Sequence, residues 1–79
     1  MTEAQIRKAV QVLRDEGIDK VTTTTGWGSA SYWKEKDGTI SFRRVELKVI
    51  KRVEIALEKY GLTVVITGGL GGSVNGKIK

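Results

Sequence analysis

The chain has 79 residues, with 14 lysines and arginines against 9 aspartates and glutamates, so its formal net charge is +5 at pH 7. A chain of this length forms one domain with a thin hydrophobic core. It contains neither histidine nor cysteine, which excludes disulfides and thiolate metal sites and removes the commonest catalytic bases and nucleophiles.

The first predicted element is a helix over residues 3–16. Thr2 is suited to the N-cap position, since its hydroxyl can accept from a backbone N–H of the first turn. Gly17 is expected to end the helix in the left-handed conformation, with Ile18 folding back on the last turn. Apolar residues at spacings of three and four form one stripe, namely Ile6, Ala9, Val10 and Leu13.

A strand, KVTTTTG, is predicted next, followed by a hairpin of SASYWKEK and TISFRR around Asp37-Gly38. This dipeptide is favoured in two-residue hairpin turns. Such a turn pairs Trp33 with Phe42 on the buried face, whereas a three-residue loop pairs Tyr32 with Phe42 instead. We prefer the first register because it buries the larger apolar pair. The opposite, exposed face then carries Tyr32, Lys34, Ser41 and Arg43.

A second helix is predicted over residues 44–60, and Gly61-Leu62 repeats the ending of the first helix. The segment VELKV, residues 45–49, also alternates as a strand does, so a strand remains an open alternative there. The helix is preferred because its apolar spacing continues to Tyr60 and ends at a glycine. Its apolar face consists of Val45, Val49, Ile50, Val53, Ala56, Leu57 and Tyr60.

These elements, with a final strand LTVVITG, predict an α+β fold in the order α-β-β-β-α-β. Packing two helices on one face of a three- to four-stranded sheet buries both helix stripes. We assign residues 1–67 to this single domain. Residues 68–79 are set apart as a glycine-rich C-terminal segment that we interpret as flexible, with Asn75-Gly76 as a turn or part of a disordered end.

No catalytic or cofactor site is predicted. The carboxylates form no spaced acidic cluster of the kind that hard cations require, and no serine or lysine has an identifiable activating partner. Residues 71–77 fit the spacing of a phosphate-binding loop, but Ile78 occupies the position where a magnesium-binding serine or threonine is needed. We therefore expect a domain that is not an enzyme, with no catalytic residues, no metal site and no cofactor.

The hydropathy pattern predicts no membrane contact. The start, MTEAQIRKAV, has no continuous apolar segment and does not resemble a signal peptide. The longest apolar stretch, LTVVIT, is far shorter than the roughly 20 residues that a membrane-spanning helix needs. We expect a soluble domain in the cytoplasm.

The leading functional hypothesis is nucleic-acid binding through a basic helix face and an aromatic, basic hairpin. Cations spaced along the second helix can follow a phosphate backbone, and Tyr32 between two cations can stack on a base. The predicted helical cations are Arg44, Lys48, Lys51, Arg52 and Lys59. The residues predicted to bind nucleic acid are Tyr32, Lys34, Arg43, Arg44, Lys48, Lys51 and Arg52.

Three alternatives stay open. The basic residues are also typical of an ordinary solvated helix face that serves solubility. A protein-interaction module or small regulator, including a homo-oligomer, would use Leu47, Ile55 and Trp27, since grouped exposed apolar residues mark such surfaces. Finally, the glycine-rich end and the hydroxyl-rich TTTT strand could close over a small phosphorylated ligand.

Overall fold

The computed structural model describes residues 1–21 and 29–79. The described residues form two helices and a mixed sheet of five strands, so the predicted α+β class is confirmed with one strand more than predicted. The strands lie in the order β1-β2-β3-β5-β4, with β1 and β2 parallel and the other neighbours antiparallel. The elements are α1 (Glu3–Asp15), β1 (Asp19–Lys20), β2 (Ser31–Lys34), β3 (Ile40–Glu46), α2 (Leu47–Glu58), β4 (Val64–Leu70) and β5 (Ser73–Ile78).

The ends of α1 follow the sequence prediction. The Thr2 hydroxyl accepts from the backbone N–H of Gln5, and the Gln5 side chain accepts from the backbone N–H of Thr2, which completes a capping box. At the other end, Ile18 N–H donates to the Leu13 carbonyl and Gly17 has a φ of 80°.

Neither helix of the described ranges, 1–21 and 29–79, combines the length and apolar character that crossing a bilayer demands.

Both helices pack on the same face of the sheet, which we call the inner face. Tyr32, Phe42 and Ile78 lie on it, and side chains alternate along a strand, so their neighbours project to the other side. We call that side the outer face and define it by Ser31, Trp33, Ser41, Arg43 and Lys77. The core on the inner face contains Ala9, Leu13, Tyr32, Ile40, Phe42, Val45, Ile50, Val53, Leu57, Val64 and Ile78.

The β2–β3 hairpin adopts the alternative register, with a three-residue loop. Tyr32 pairs with Phe42, so the preferred two-residue turn is wrong. Gly38 N–H donates to the Glu35 carbonyl at 3.2 Å, and Gly38 has a φ of 89°. This is a type I turn closed by a left-handed glycine, the usual form of a three-residue hairpin loop. The shift by one residue places Tyr32 in the core and Trp33 on the outer face.

The boundary between β3 and α2 also differs from the prediction. Strand β3 continues to Glu46, and α2 begins at Leu47 rather than at residue 44. The strand alternative for VELKV therefore holds for its first two residues only. Arg44 belongs to β3 and is not a helix residue, which corrects its predicted place on the basic helix face.

Strand β3 contains a β-bulge at Arg43 and Arg44. Phe42 pairs with Gly76 and Val45 with Val74, so two residues of β3 oppose Asn75 alone. The bulge turns both Phe42 and Val45 into the core although they are three residues apart.

The glycine-rich segment forms the β4–β5 hairpin and is part of the sheet rather than a separate tail. Strand β5 lies between β3 and β4. Gly71 and Gly72 have φ values of 63° and 89°, as a type I′ turn requires, and the Gly72 carbonyl accepts from Leu47 N–H at the start of α2. Gly76 leaves room for a neighbouring ring, since a Cβ there would lie 2.8 Å from Cζ of Phe42.

Candidate functional site

The outer face carries an ordered set of polar side chains around Trp33. The Trp33 indole Nε1 donates to Glu35 Oε1 at 2.7 Å, and the Ser41 hydroxyl donates to the same oxygen at 2.8 Å. The Arg43 guanidinium lies over the Trp33 ring, 5.8 Å from its centroid, and its Nε donates to the Ser31 hydroxyl at 3.2 Å. These bonds hold the indole ring in one orientation on the sheet.

The charges of this face favour a deprotonated Glu35. Hydrogen bonds from the Ser41 hydroxyl and then from Trp33 lower the pKa of Glu35, and the nearby Lys77 ammonium lowers it further. Lys77 lies in β5 opposite Ser41 of β3, so its positive charge stands beside this carboxylate. The charges of Glu35 and Lys77 therefore offset each other, and the remaining positive charge of this face belongs to Arg43 over Trp33 and Arg44 at the bulge.

A depression of about 520 Å³ lies next to the bulge. It is lined by Arg43, Arg44, Leu70, Ser73 and Asn75. Two guanidinium groups, a hydroxyl and an amide can all donate hydrogen bonds, and none of the lining residues is acidic. Planar guanidinium groups bind phosphate and carboxylate in pairs of parallel hydrogen bonds. The arrangement is therefore suited to an anion.

Arg44 is held in an unusual backbone conformation. Its φ is 56°, in the left-handed region that costs an L-residue about 1–2 kcal/mol. Its backbone N–H donates to Asn75 Oδ1 at 3.0 Å, which anchors the bulge to β5. Within residues 1–21 and 29–79, its guanidinium makes no hydrogen bond and no ion pair. Residues held in such conformations cluster at functional sites, and this one presents a free cation.

The predicted patch of Tyr32, Lys34 and Arg43 is not a single surface. Tyr32 is 1% exposed, and its hydroxyl accepts from Arg14 Nε of α1 at 3.3 Å, so its ring is closed to a stacking base. Lys34 lies on the side of α1, in a groove that it shares with Arg14. Arg43 projects from the outer face. The register shift separates these residues, and Trp33 takes the place beside Arg43 that was predicted for Tyr32.

The remaining helical cations lie on the exposed side of α2, across the sheet from Arg43. Arg52 Nε forms an ion pair with Glu16 at 2.9 Å, which lowers the pKa of Glu16. Lys48 lies 3.5 Å from the carboxylate of Glu46. Lys51 is exposed and has no ion pair in the described part of the chain. The α2 surface therefore retains less unpaired positive charge than the sequence predicts.

Other predicted functional residues include the apolar residues of the protein-interaction alternative. Leu47 is 41% and Ile55 69% exposed. Trp27 and the threonine run lie in residues 22–28, outside the described residues, so their predicted roles stay predictions. No group of three or more acidic side chains that could hold a metal ion occurs in the two described ranges.

The depression beside the bulge is not predictable from the sequence. Arg44 and Asn75 are 31 positions apart, and only strand pairing brings them together. The outward position of Trp33 was predictable from the three-residue alternative for the hairpin loop, which pairs Tyr32 with Phe42.

Comparison of the chain with protein-family models, curated proteins and solved structures found no match.

Proposed function

We propose that this domain is a non-enzymatic nucleic-acid-binding module that holds a strand across its outer face. The observation that supports the proposal most is the arginine pair at the bulge. Arg43 and Arg44 stand side by side at a depression whose other polar lining groups are Ser73 and Asn75. None of the residues that line this depression is acidic, and one of them, Arg44, has a guanidinium without an ion pair in the described part of the chain.

The phosphate backbone is the part of the ligand that suits the depression. Each phosphate bound by a lysine or arginine releases counterions, which supplies most of the sequence-independent affinity. The guanidinium of Arg44 is free to bind without breaking an internal ion pair, unlike that of Arg52, which is paired with Glu16. This difference favours the outer face over the exposed side of α2.

Trp33 supplies the aromatic surface next to this anchor. Stacking of one base on an aromatic side chain is worth about 1–3 kcal/mol and tolerates any base. The indole orientation is already fixed by the bond to Glu35, so little side-chain freedom is lost on binding. In the proposed complex a base replaces the Arg43 guanidinium on the ring, and that guanidinium moves to a phosphate. A splayed single strand fits this arrangement better than a duplex, whose bases are stacked on each other.

The experiment is a salt titration of binding to a fluorescent single-stranded oligonucleotide. Contacts from Arg43, Arg44 and Lys77 predict a log–log slope of about −2, since each contact on a single strand contributes about −0.7. Arg44→Gln is expected to flatten the slope by about 0.7 and to weaken binding at low salt. Lys51→Gln removes the same charge from α2 and serves as the control, with a slope equal to that of the original chain.

Two results would contradict the proposal. The first is the absence of binding at low salt. The second is an equal loss in the Arg44→Gln and Lys51→Gln variants, which would indicate attraction by net charge without a defined site.

A further inference from the structure

One edge of the sheet is open and long. Strand β4 spans Val64–Leu70, seven residues, and β5 is its only strand neighbour among the described residues. In an antiparallel strand, backbone groups point alternately to the two sides, so half of those in β4 face away from β5. An edge of this kind can accept another strand.

The two edges of the sheet are protected to different degrees. Natural proteins commonly shield edge strands by making them short or by placing charges and prolines on them. Strand β1, at one edge, has two residues, Asp19 and Lys20, and both are charged. Strand β4, at the other, lies in the stretch 61–76, which contains no charged residue and no proline. Within residues 1–21 and 29–79, β4 has a bulge between Ile66 and Gly68, which is a feature that protects an edge strand.

Exposed apolar side chains and a groove accompany this edge. Ile66, the third residue of β4, is 46% exposed, and Leu70, the last residue of β4, is 90% exposed. A groove of about 340 Å³ runs along the same hairpin to Leu47 at the start of α2. Ile66, Leu70 and four glycines are among its lining residues, and none of the lining residues is charged. Grouped exposed apolar residues of this kind mark surfaces of protein association.

Gly68 lies at the bulge of β4 and has free space around its Cα. Its φ is outside the left-handed region, and a Cβ built on it meets nothing within 4 Å. By contrast, a Cβ on Gly69 would collide with the backbone of Ser73. Strand glycines are typical of bulges and of positions that another backbone approaches closely. Gly68 adjoins the bulge, and the free space around it leaves this edge accessible to a second strand.

We propose that the occupant of this edge is a second copy of this chain, paired β4 to β4 in antiparallel fashion about a twofold axis. Charge favours this choice. Each copy carries +5, so most contacts between two copies bring like charges together, and the stretch 61–76 is where they can meet without repulsion. An uncharged edge also offers no charge with which to select a charged partner strand. The two sheets become continuous, with all four helices on one side.

The test is sedimentation equilibrium of the purified chain over a wide concentration range, with two matched variants. Gly68→Lys adds a cation to the edge at a position with free space, so the folded monomer is retained. Ile55→Lys adds the same charge on α2, at a site that is 69% exposed and away from the edge. We expect a dimer for the original chain and for Ile55→Lys, and a monomer for Gly68→Lys. Circular dichroism checks that both variants are folded.

Three outcomes would overturn the inference. One is a monomer at every concentration, which would leave the edge to a strand of another protein. Another is a dimer that survives Gly68→Lys. The third is a dimer that only Ile55→Lys disrupts, which would move the interface to the exposed face of α2.

Discussion

Asn75 organises the proposed site from the middle of the sheet. Its side-chain oxygen accepts from Arg44 N–H, and its backbone oxygen accepts from the Thr67 hydroxyl at 3.4 Å. Both neighbouring strands have a register irregularity opposite this residue. Between β5 and β3, the Asn75 side chain thus accepts a hydrogen bond where the regular ladder would have a backbone acceptor. This bond fixes the backbone of Arg44.

Glu35 is the residue that makes acid stability testable. Hydrogen bonds from Ser41 and Trp33 lower its pKa from the ordinary value of 4.5 in the folded state. A lowered pKa stabilises the fold at pH values above 4.5, and that contribution is lost as the pH falls through the folded-state pKa. We expect the stability difference between the original chain and Glu35→Gln to be constant near neutral pH and to shrink below pH 4.5.

Urea unfolding at a series of pH values measures this difference. Glu16 and Asp37 also have lowered pKa values, but both are present in the two proteins, so their contributions cancel. A difference that does not change with pH would show that Glu35 ionises equally in the folded and unfolded chain.

At the scale of elements, the two ends of α1 were predictable, whereas the start of α2 and the strand register were not. The cap at Thr2 and the left-handed stop at Gly17 depend on neighbours within a few residues, so local sequence determines them. Asp37-Gly38 is less informative. A left-handed glycine is required both in a two-residue turn and at the end of a three-residue loop, so the dipeptide cannot distinguish the two registers.

The bulge explains the error at the start of α2. A regular strand places every second residue in the core, but the extra residue at Arg43 and Arg44 buries Phe42 and Val45 at a spacing of three. Val45 therefore falls outside the alternation of the strand, and its spacing of four from Val49 favoured its assignment to the helix. Because the prediction placed Arg44 on a helix, it did not include the contact of Arg44 with Asn75 of β5, and the candidate site was therefore not predicted.

The bulge also predicts an unusual response to substitution at Arg44. Glycine adopts the left-handed conformation freely, whereas alanine keeps most of the cost that arginine has there. After subtraction of the greater freedom of glycine in the unfolded chain, we expect Arg44→Gly to be more stable than Arg44→Ala by about 1 kcal/mol. Both variants should bind the oligonucleotide equally weakly.

Chemical denaturation and fluorescence anisotropy of the two variants provide these values. Equal stability of Arg44→Gly and Arg44→Ala would mean that the backbone at residue 44 relaxes out of the left-handed region once arginine is removed.

For the molecule as a whole, β5, the last strand in the sequence, holds the sheet together. It pairs with β3 on one side and β4 on the other, and Ile78 is fully buried in the core. The role of β5 in the sheet was not predictable from composition, because glycines that allow turns and close packing cannot be distinguished by composition from those of a flexible segment. The distinction depends on partners such as Phe42, which only the folded sheet brings near Gly76.

Removal of residues 68–79 is therefore expected to abolish folding. The truncated chain loses β5 and the end of β4, which leaves the inner side chains of β3 without their partners on one side. Thermal unfolding followed by circular dichroism should show no cooperative transition. Lys79→Ala retains the two backbone hydrogen bonds to Thr63 and is the control, with a cooperative transition expected. A cooperative transition in the truncated chain would mean that residues 1–67 fold alone.

The central place of β5 sets the order of events on the ribosome. The nascent chain presents α1, β1, β2 and β3 first, and the β5 side of β3 is unpaired until α2, β4 and the Gly71-Gly72 turn have been synthesised. Until β5 emerges, Phe42 and Val45 lack their partners on that strand, and β4 lacks the one strand with which it pairs among the described residues. We therefore expect the sheet to form in one late step, by insertion of a strand between two others, rather than strand by strand as translation proceeds.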